Sequence, residues 1–152
     1  MKIPFKPIEI EDRDIITSFT MLSNYKNCDY SFANICSWRF LYDSEFAIVN
    51  GSLLIRFWIE NKTRVAYMTP TGQGNLKQAI DLLEADSLEQ GHPLCMLGVT
   101  PDAKEELERL YGVNVLPVQA DVSKDGDNEK VVRNVVDRAV ETFGGIDVLI
   151  NN

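Results

Sequence analysis

The sequence predicts an α/β fold in which an antiparallel meander continues into a parallel βαβαβ part. Three observations point to it. Residues 45–69 hold three short β-rich runs separated by turn signals, and from Leu94 onward apolar runs of strand length alternate with helical stripes. The 152 residues, 45% hydrophobic and 25% charged, suit one soluble globular domain, or two pieces sharing one core.

Residues 12–22 place Ile15, Ile16, Phe19 and Leu22 on one helical face, and a polar break at 23–27 follows. Asp29 or Ser31 is placed to cap a second short helix in which Phe32, Ile35, Cys36 and Phe40 share a face, although the aromatic content also suits a strand. Residues 46–49, then Asn50-Gly51, then 52–60 read as a hairpin, because Asn-Gly supplies the two positive φ angles that a tight hairpin turn demands. Residues 60–63 make a second turn and 64–68 a third strand. After Gly72-Gln73-Gly74 a helix runs to about Gln90 with Leu76, Ala79, Ile80, Leu83 and Leu88 inward and Gly91 as its stop.

Residues 94–99 then read as a buried strand. Thr100 caps and Pro101 opens the next helix, whose stripe of Ala103, Leu107, Leu110 and Tyr111 ends at Gly112. Residues 115–120 form another strand. The last helix carries Val131, Val132, Val135, Val136, Ala139, Val140 and Phe143 as ordinary core before Gly144, and it starts late because Gly126 stands where a glutamate would complete a capping box with Ser123. Residues 146–151 close as a strand, and right-handed crossovers between these strands would build a parallel sheet.

A formal charge of -8 excludes nucleic acid as a partner, since phosphate binding needs clustered Lys and Arg. Cys28, Cys36 and Cys95 are odd in number and lack paired spacing, which suits reduced thiols and a cytoplasmic location. The lone His92, between Gly91 and Pro93, reads as a loop residue, so neither a metal site nor a Cys-His or Ser-His-Asp arrangement is expected, and no catalytic residue is assigned. The longest apolar run, 53–59, is broken by Arg56 and too short to span a bilayer. Glu9, Glu11, Asp12 and Asp14 read as a solvated acidic face, and Tyr25, Tyr30, Phe32, Trp38, Phe40 and Tyr42 as core aromatics.

Four stretches carry a resemblance over residues 1–112: Ile3-Pro4-Phe5-Lys6-Pro7-Ile8, residues 28–39, Gly72-Gln73-Gly74-Asn75-Leu76, and residues 91–99. They resemble bacterial proteins of the phosphatidylglycerol lysyltransferase C-terminal-like family, whose fold is acyl-CoA N-acyltransferase-like. That resemblance implies a fold related to transferases that move acyl or aminoacyl groups onto amines or lipid head groups. Residues 118–123 and 144–152 make the segment 113–152 similar to an internal part of the short-chain dehydrogenase/reductase family, which implies a Rossmann-like C-terminal part. The chain then reads as a chimera or truncation joined within about residues 100–116, with neither parent's reaction centre.

The candidate binding residues follow. Gly72, Gln73, Gly74 and Asn75 lie between a strand and a helix start, where backbone N–H groups and the helix dipole favour a pyrophosphate. The first resemblance implies acetyl-CoA or another acyl-CoA there, although Thr69 stands where that motif has Gln or Arg. The second implies that Asp121, Val122 and Asn151 lie beside NAD(P), but the glycine-rich turn for its pyrophosphate and any Tyr-x-x-x-Lys pair are absent. Tight turns, caps and strand ends account for the same residues without a ligand. A third reading is a fold module with no small-molecule role that forms a homodimer through its C-terminal strand, where an unfinished sheet edge leaves backbone groups unpaired.

Overall fold

The computed structural model describes residues 2–22, 28–99, 101–112 and 128–145. Its contacts divide the chain into Met1–Lys104 and Glu105–Asn152.

The first unit is built on a mixed, mostly antiparallel sheet. Its strands are β1 (Lys6–Pro7), β2 (Glu45–Val49), β3 (Ser52–Ile59), β4 (Arg64–Met68), β5 (Thr71–Gly72) and β6 (Met96–Leu97), in the order β1-β2-β3-β4-β6, with β5 also paired to β3. The meander expected from the sequence is present. Val49 pairs with Ser52 across the hairpin turn, where Asn50 and Gly51 take φ of 50° and 77°. The next turn is less ordinary: Glu60, Asn61 and Lys62 are all left-handed, with φ of 52°, 55° and 65°. Thr63 closes that turn, its N–H donating to the Ile59 and Glu60 carbonyls and its Oγ1 to the Glu60 carbonyl.

The helices correct several sequence expectations. The first, α1 (Arg13–Thr20), follows a 3-10 turn at Ile10–Asp12 and buries Ile16 with Phe19 half-buried. Ile15 and Leu22 are exposed, since Ile15 lies about 100° around the axis from Ile16 and the helix stops before Leu22. Residues 32–42 are helical, not extended: in α2 (Phe32–Tyr42) the Ser31 hydroxyl accepts from Asn34 N–H and Asp43, at φ 46°, ends the helix. Ile35 is its buried residue, while Phe40 is 73% exposed with its ring against the Arg39 guanidinium, 4.0 Å from the ring centre. In α3 (Leu76–Glu89) Ala79, Ile80 and Leu83 are buried. Leu88 is exposed, because five residues past Leu83 a side chain lies about 140° around the helix. Gly91 stops α3 at φ 83°, with His92 N–H on the Ser87 carbonyl and Gly91 N–H on the Leu88 carbonyl.

The strand expected over 94–99 is shorter and only half-buried, because Gly98 turns left-handed at φ 69° and ends it. It runs parallel to β4, with Tyr67 opposite Met96 and Met68 opposite Leu97. The parallel element is therefore β4–α3–β6 and begins in the meander, not at Leu94. The expected strands at 115–120 and 146–151 lie outside the described residues, as do the break at 23–27 with Tyr25, the Thr100 cap, residue 113 at the expected junction, and the C-terminal edge considered for self-association.

Burial on both faces explains why β3 and β4 read as near-continuous apolar runs. On one face Leu53, Ile55 and Phe46 pack with Ile8, Ile16, Tyr30, Ile35 and Met68. On the other Leu54, Val65, Tyr67 and Ala47 pack with Ile3, Ala79 and Leu83. The acidic N-terminal face is not all solvated: Asp12 is buried, with Lys6 Nζ at 2.6 Å and the Glu9 N–H at 2.9 Å.

The helix α4 (Pro101–Tyr111) crosses the division between the units, with Ala103 and Leu107 buried, Leu110 and Tyr111 half-buried, and Gly112 left-handed at its end. In the second unit α5 (Asn128–Phe143) ends at Gly144, φ 82°. Its apolar stripe is not ordinary core. Val132, Val140 and Phe143 are exposed and Val135, Val136 and Ala139 half-buried, because helical spacing decides which side chains share a face, not whether anything covers it. No helix among the described residues is long and apolar enough to cross a membrane.

Candidate functional site

The glycine turn joins β4 to α3 as the sequence expects, but it folds back onto the first hairpin. Ser52 pairs with Gly72 and Leu53 with Thr71. The Gln73 and Gly74 N–H groups both donate to the Gly51 carbonyl, at 3.1 and 3.0 Å. Each glycine is needed for that approach. A Cβ on Gly72, whose φ is 118°, would collide with the Gly51 carbonyl and the Phe19 ring, and one on Gly74 would collide with Ser52 Oγ and the Asn50 carbonyl. Asn75 caps α3, its side chain accepting from Gln78 N–H at 3.0 Å and its carbonyl from Ala79 N–H.

A cavity of about 280 Å³ lies against this turn, bounded by Ser18, Phe19, Leu22, Gly51, Gly72 and Gln73. None of these described residues is basic, so none of them offsets the charge of a pyrophosphate there. Asp121, Val122 and Asn151 lie outside the described residues.

A second polar centre lies inside the sheet. Arg56 on β3 donates through Nε to Glu45 on β2 at 3.0 Å, and through Nη1 to both oxygens of Asp86 on α3 at 3.0 and 2.9 Å. Phe5 lies against the guanidinium at 4.2 Å, and the Tyr67 hydroxyl donates to Asp86 Oδ2 at 2.7 Å. Burial, followed by the Asp86 carboxylate, pushes the Tyr67 hydroxyl well above the ordinary phenol range. Burial acts to lower the Arg56 value, but Glu45 and Asp86 outweigh it and hold the guanidinium charged. A phenol so far from neutral pH is a poor proton donor or acceptor for catalysis. The cluster ties β2, β3, β4 and α3 together. Its one sequence signal is Arg56, a charge in the middle of an apolar strand.

A larger cavity of about 440 Å³ opens beside this cluster, between Glu45, Arg56 and Trp58 on one side and Arg39, Phe40 and Asp43 on the other. Arg39 turns back to its own helix, donating to the Cys36 carbonyl and sulfur. The Cys95 thiol is raised by burial, with Arg64 opposing and Glu60 adding to the shift, so it stays protonated and inert near neutral pH. Among the described residues no three His, Cys, Asp or Glu gather as a metal site.

Residues 20–131 match the family model described as phosphatidylglycerol lysyltransferase, C-terminal. The chain belongs to the phosphatidylglycerol lysyltransferase C-terminal family. The family match takes in the glycine turn and the Arg56 cluster's β2, β3, β4 and α3, and it runs past residue 112. A crystal structure of a conserved protein of unknown function from Bacteroides thetaiotaomicron is 36% identical with a TM-score of 0.71, over 94% of this chain and 52% of that one.

Partial likenesses to dehydrogenases stand beside the lysyltransferase family. A 12alpha-hydroxysteroid dehydrogenase from Clostridium sp. is 55% identical over 51 residues, 34% of this chain and 20% of the enzyme. An uncharacterized oxidoreductase from Thermotoga maritima is 37% identical over 92 residues, covering 59% of this chain and 33% of that protein. Both matched lengths exceed the segment 113–152. The chain thus spans about half of the solved relative and a third or less of these curated ones.

Proposed function

We propose that the chain is an acyltransferase-like module that catalyses no transfer by itself and whose glycine turn holds its own sheet together instead of a coenzyme. One observation carries this reading: both amides at the centre of the turn are spent on the Gly51 carbonyl. An anion cradle needs such N–H groups pointing at the ligand. None of the described residues lining the adjoining cavity is basic, which supports the same reading. An acyl-CoA N-acyltransferase-like fold is supported by the order of elements, an antiparallel meander followed at once by the parallel β4–α3–β6 unit. On this reading the chain is chimeric, an acyltransferase-like piece continuing into a segment of short-chain dehydrogenase type.

The test is thermal denaturation of the whole chain with acetyl-CoA and, separately, with NADH. Neither is expected to move Tm. A saturable rise with acetyl-CoA contradicts the scaffold reading and returns Gly72, Gln73, Gly74 and Asn75 to a coenzyme role. A rise with NADH alone favours a second reading, a nucleotide-binding remnant that uses Asp121, Val122 and Asn151. The 55% identity to a dehydrogenase is the observation behind that alternative.

A further inference from the structure

Parallel strands in open α/β sheets leave a crevice outside their carboxyl ends, and ligands of such folds bind there. In this chain β4 and β6 are the parallel pair. Past their paired residues Thr69 N–H still donates to the Leu97 carbonyl at 3.1 Å, and then Gly98 turns away. At that point stands Tyr30, delivered by the 3-10 turn Cys28–Tyr30 and only 3% exposed. Its hydroxyl lies 3.3 Å from the Thr69 carbonyl and 3.2 Å from the Gly98 carbonyl, one at the end of each strand. The fit depends on Gly98: a Cβ there would stand 3.1 Å from the tyrosine hydroxyl and 3.2 Å from its ring.

We propose that the crevice at the carboxyl ends of β4 and β6 is a ligand site that the chain fills with its own Tyr30, and that it takes an external phenol when that side chain is removed. Two carbonyl oxygens at one point ask for a donor, and the apolar core cluster that Tyr30 shares with Ile16, Ile35 and Met68 asks for a flat ring carrying it. A cavity cut in an apolar core stays dry and accepts a ring of matching size. This goes beyond the scaffold reading, because it assigns a binding chemistry to a place outside the glycine turn.

The experiment compares wild type, Tyr30→Gly and Tyr30→Phe by thermal denaturation with 4-methylphenol and with toluene, which is the same ring without the hydroxyl. Tyr30→Gly is expected to melt lower and to rise by about 5 °C at a roughly hundred-fold excess of 4-methylphenol over its Kd. Toluene is expected to give less than half of that rise. Wild type and Tyr30→Phe, whose rings still occupy the crevice, are expected not to respond. Equal rises with both compounds, no rise in Tyr30→Gly, or an equal rise in wild type each overturn the proposal. Should Tyr30→Gly be unfolded alone, recovery of the folded signal on adding 4-methylphenol supports the site, and its absence at saturation counts against it.

Discussion

Asp86 carries more of the sheet than any residue the sequence draws attention to. It accepts from Arg56 and Tyr67 while 6% exposed, so removing it takes one of the two carboxylates from a half-buried guanidinium and the acceptor from the Tyr67 hydroxyl. Asp86→Ala is expected to cost roughly 3 kcal/mol in urea denaturation. Tyr67→Phe should cost only about 1 kcal/mol, since Arg56 still satisfies the carboxylate. Equal losses for the two would show that the ion pair contributes nothing beyond the phenol.

A second carboxylate, Asp12, gives a pH signature. Burial alone would raise its pKa, but the bond from Lys6 Nζ, the Glu9 N–H and the Lys6 charge outweigh it and hold the folded value below 3.8. A depressed folded pKa means that the unfolded chain takes up the proton first as pH falls. The Asp12 contribution is therefore complete above about pH 5 and lost as the pH drops through its folded value. Wild type should exceed Asp12→Asn in stability at neutral pH, with the gap closing below about pH 4. A gap independent of pH would remove the Lys6–Asp12 pair from the account.

At the scale of elements, the hairpin and the glycine turn are one unit, and this decides what substitutions there do. Gly74→Ala drives a methyl into Ser52 and the Asn50 carbonyl, and we expect it to destabilise the chain by about 1–3 kcal/mol with or without any coenzyme present. Asn75→Ala removes only the cap, about 1 kcal/mol. Calorimetric melting of both variants checks the order, and a neutral Gly74→Ala would contradict the packing role.

Local chemistry was legible at these places. Asn50-Gly51 announced its turn, Ser31 and Asn75 their caps, Gly91 its stop, and the meander followed from short β-rich runs between turn signals. What was hidden depends on partners distant in sequence. Nothing local to Gly72 or Gly74 says that their amides meet Gly51. Nothing in the valine stripe of α5 says that Val132, Val140 and Phe143 remain exposed, and nothing near Asp12 says that Lys6 folds over it. The candidate coenzyme site was legible as a position between strand and helix and not as a function, because Gly-x-Gly serves close backbone approach and phosphate binding equally well.

At the scale of the whole molecule, the first unit is a doubly covered sheet in which two interior polar centres are met by the chain itself: Arg56 by two carboxylates and the strand ends of β4 and β6 by Tyr30. Membership of the phosphatidylglycerol lysyltransferase C-terminal family and partial likeness to dehydrogenases meet in a chain whose glycine turn gives two amides to its own backbone. The slowest-exchanging amides should lie in β3 and β4, where Leu54, Val65, Ala66 and Tyr67 are fully buried, and α5 with its exposed valines should exchange faster. The most direct measurement follows the Gln73 and Gly74 amides by NMR during titration of the chain with acetyl-CoA. Two slowly exchanging amides are expected, with shifts that stay fixed to the end of the titration. Rapid exchange at both, with saturable shifts as acetyl-CoA is added, would contradict the scaffold reading.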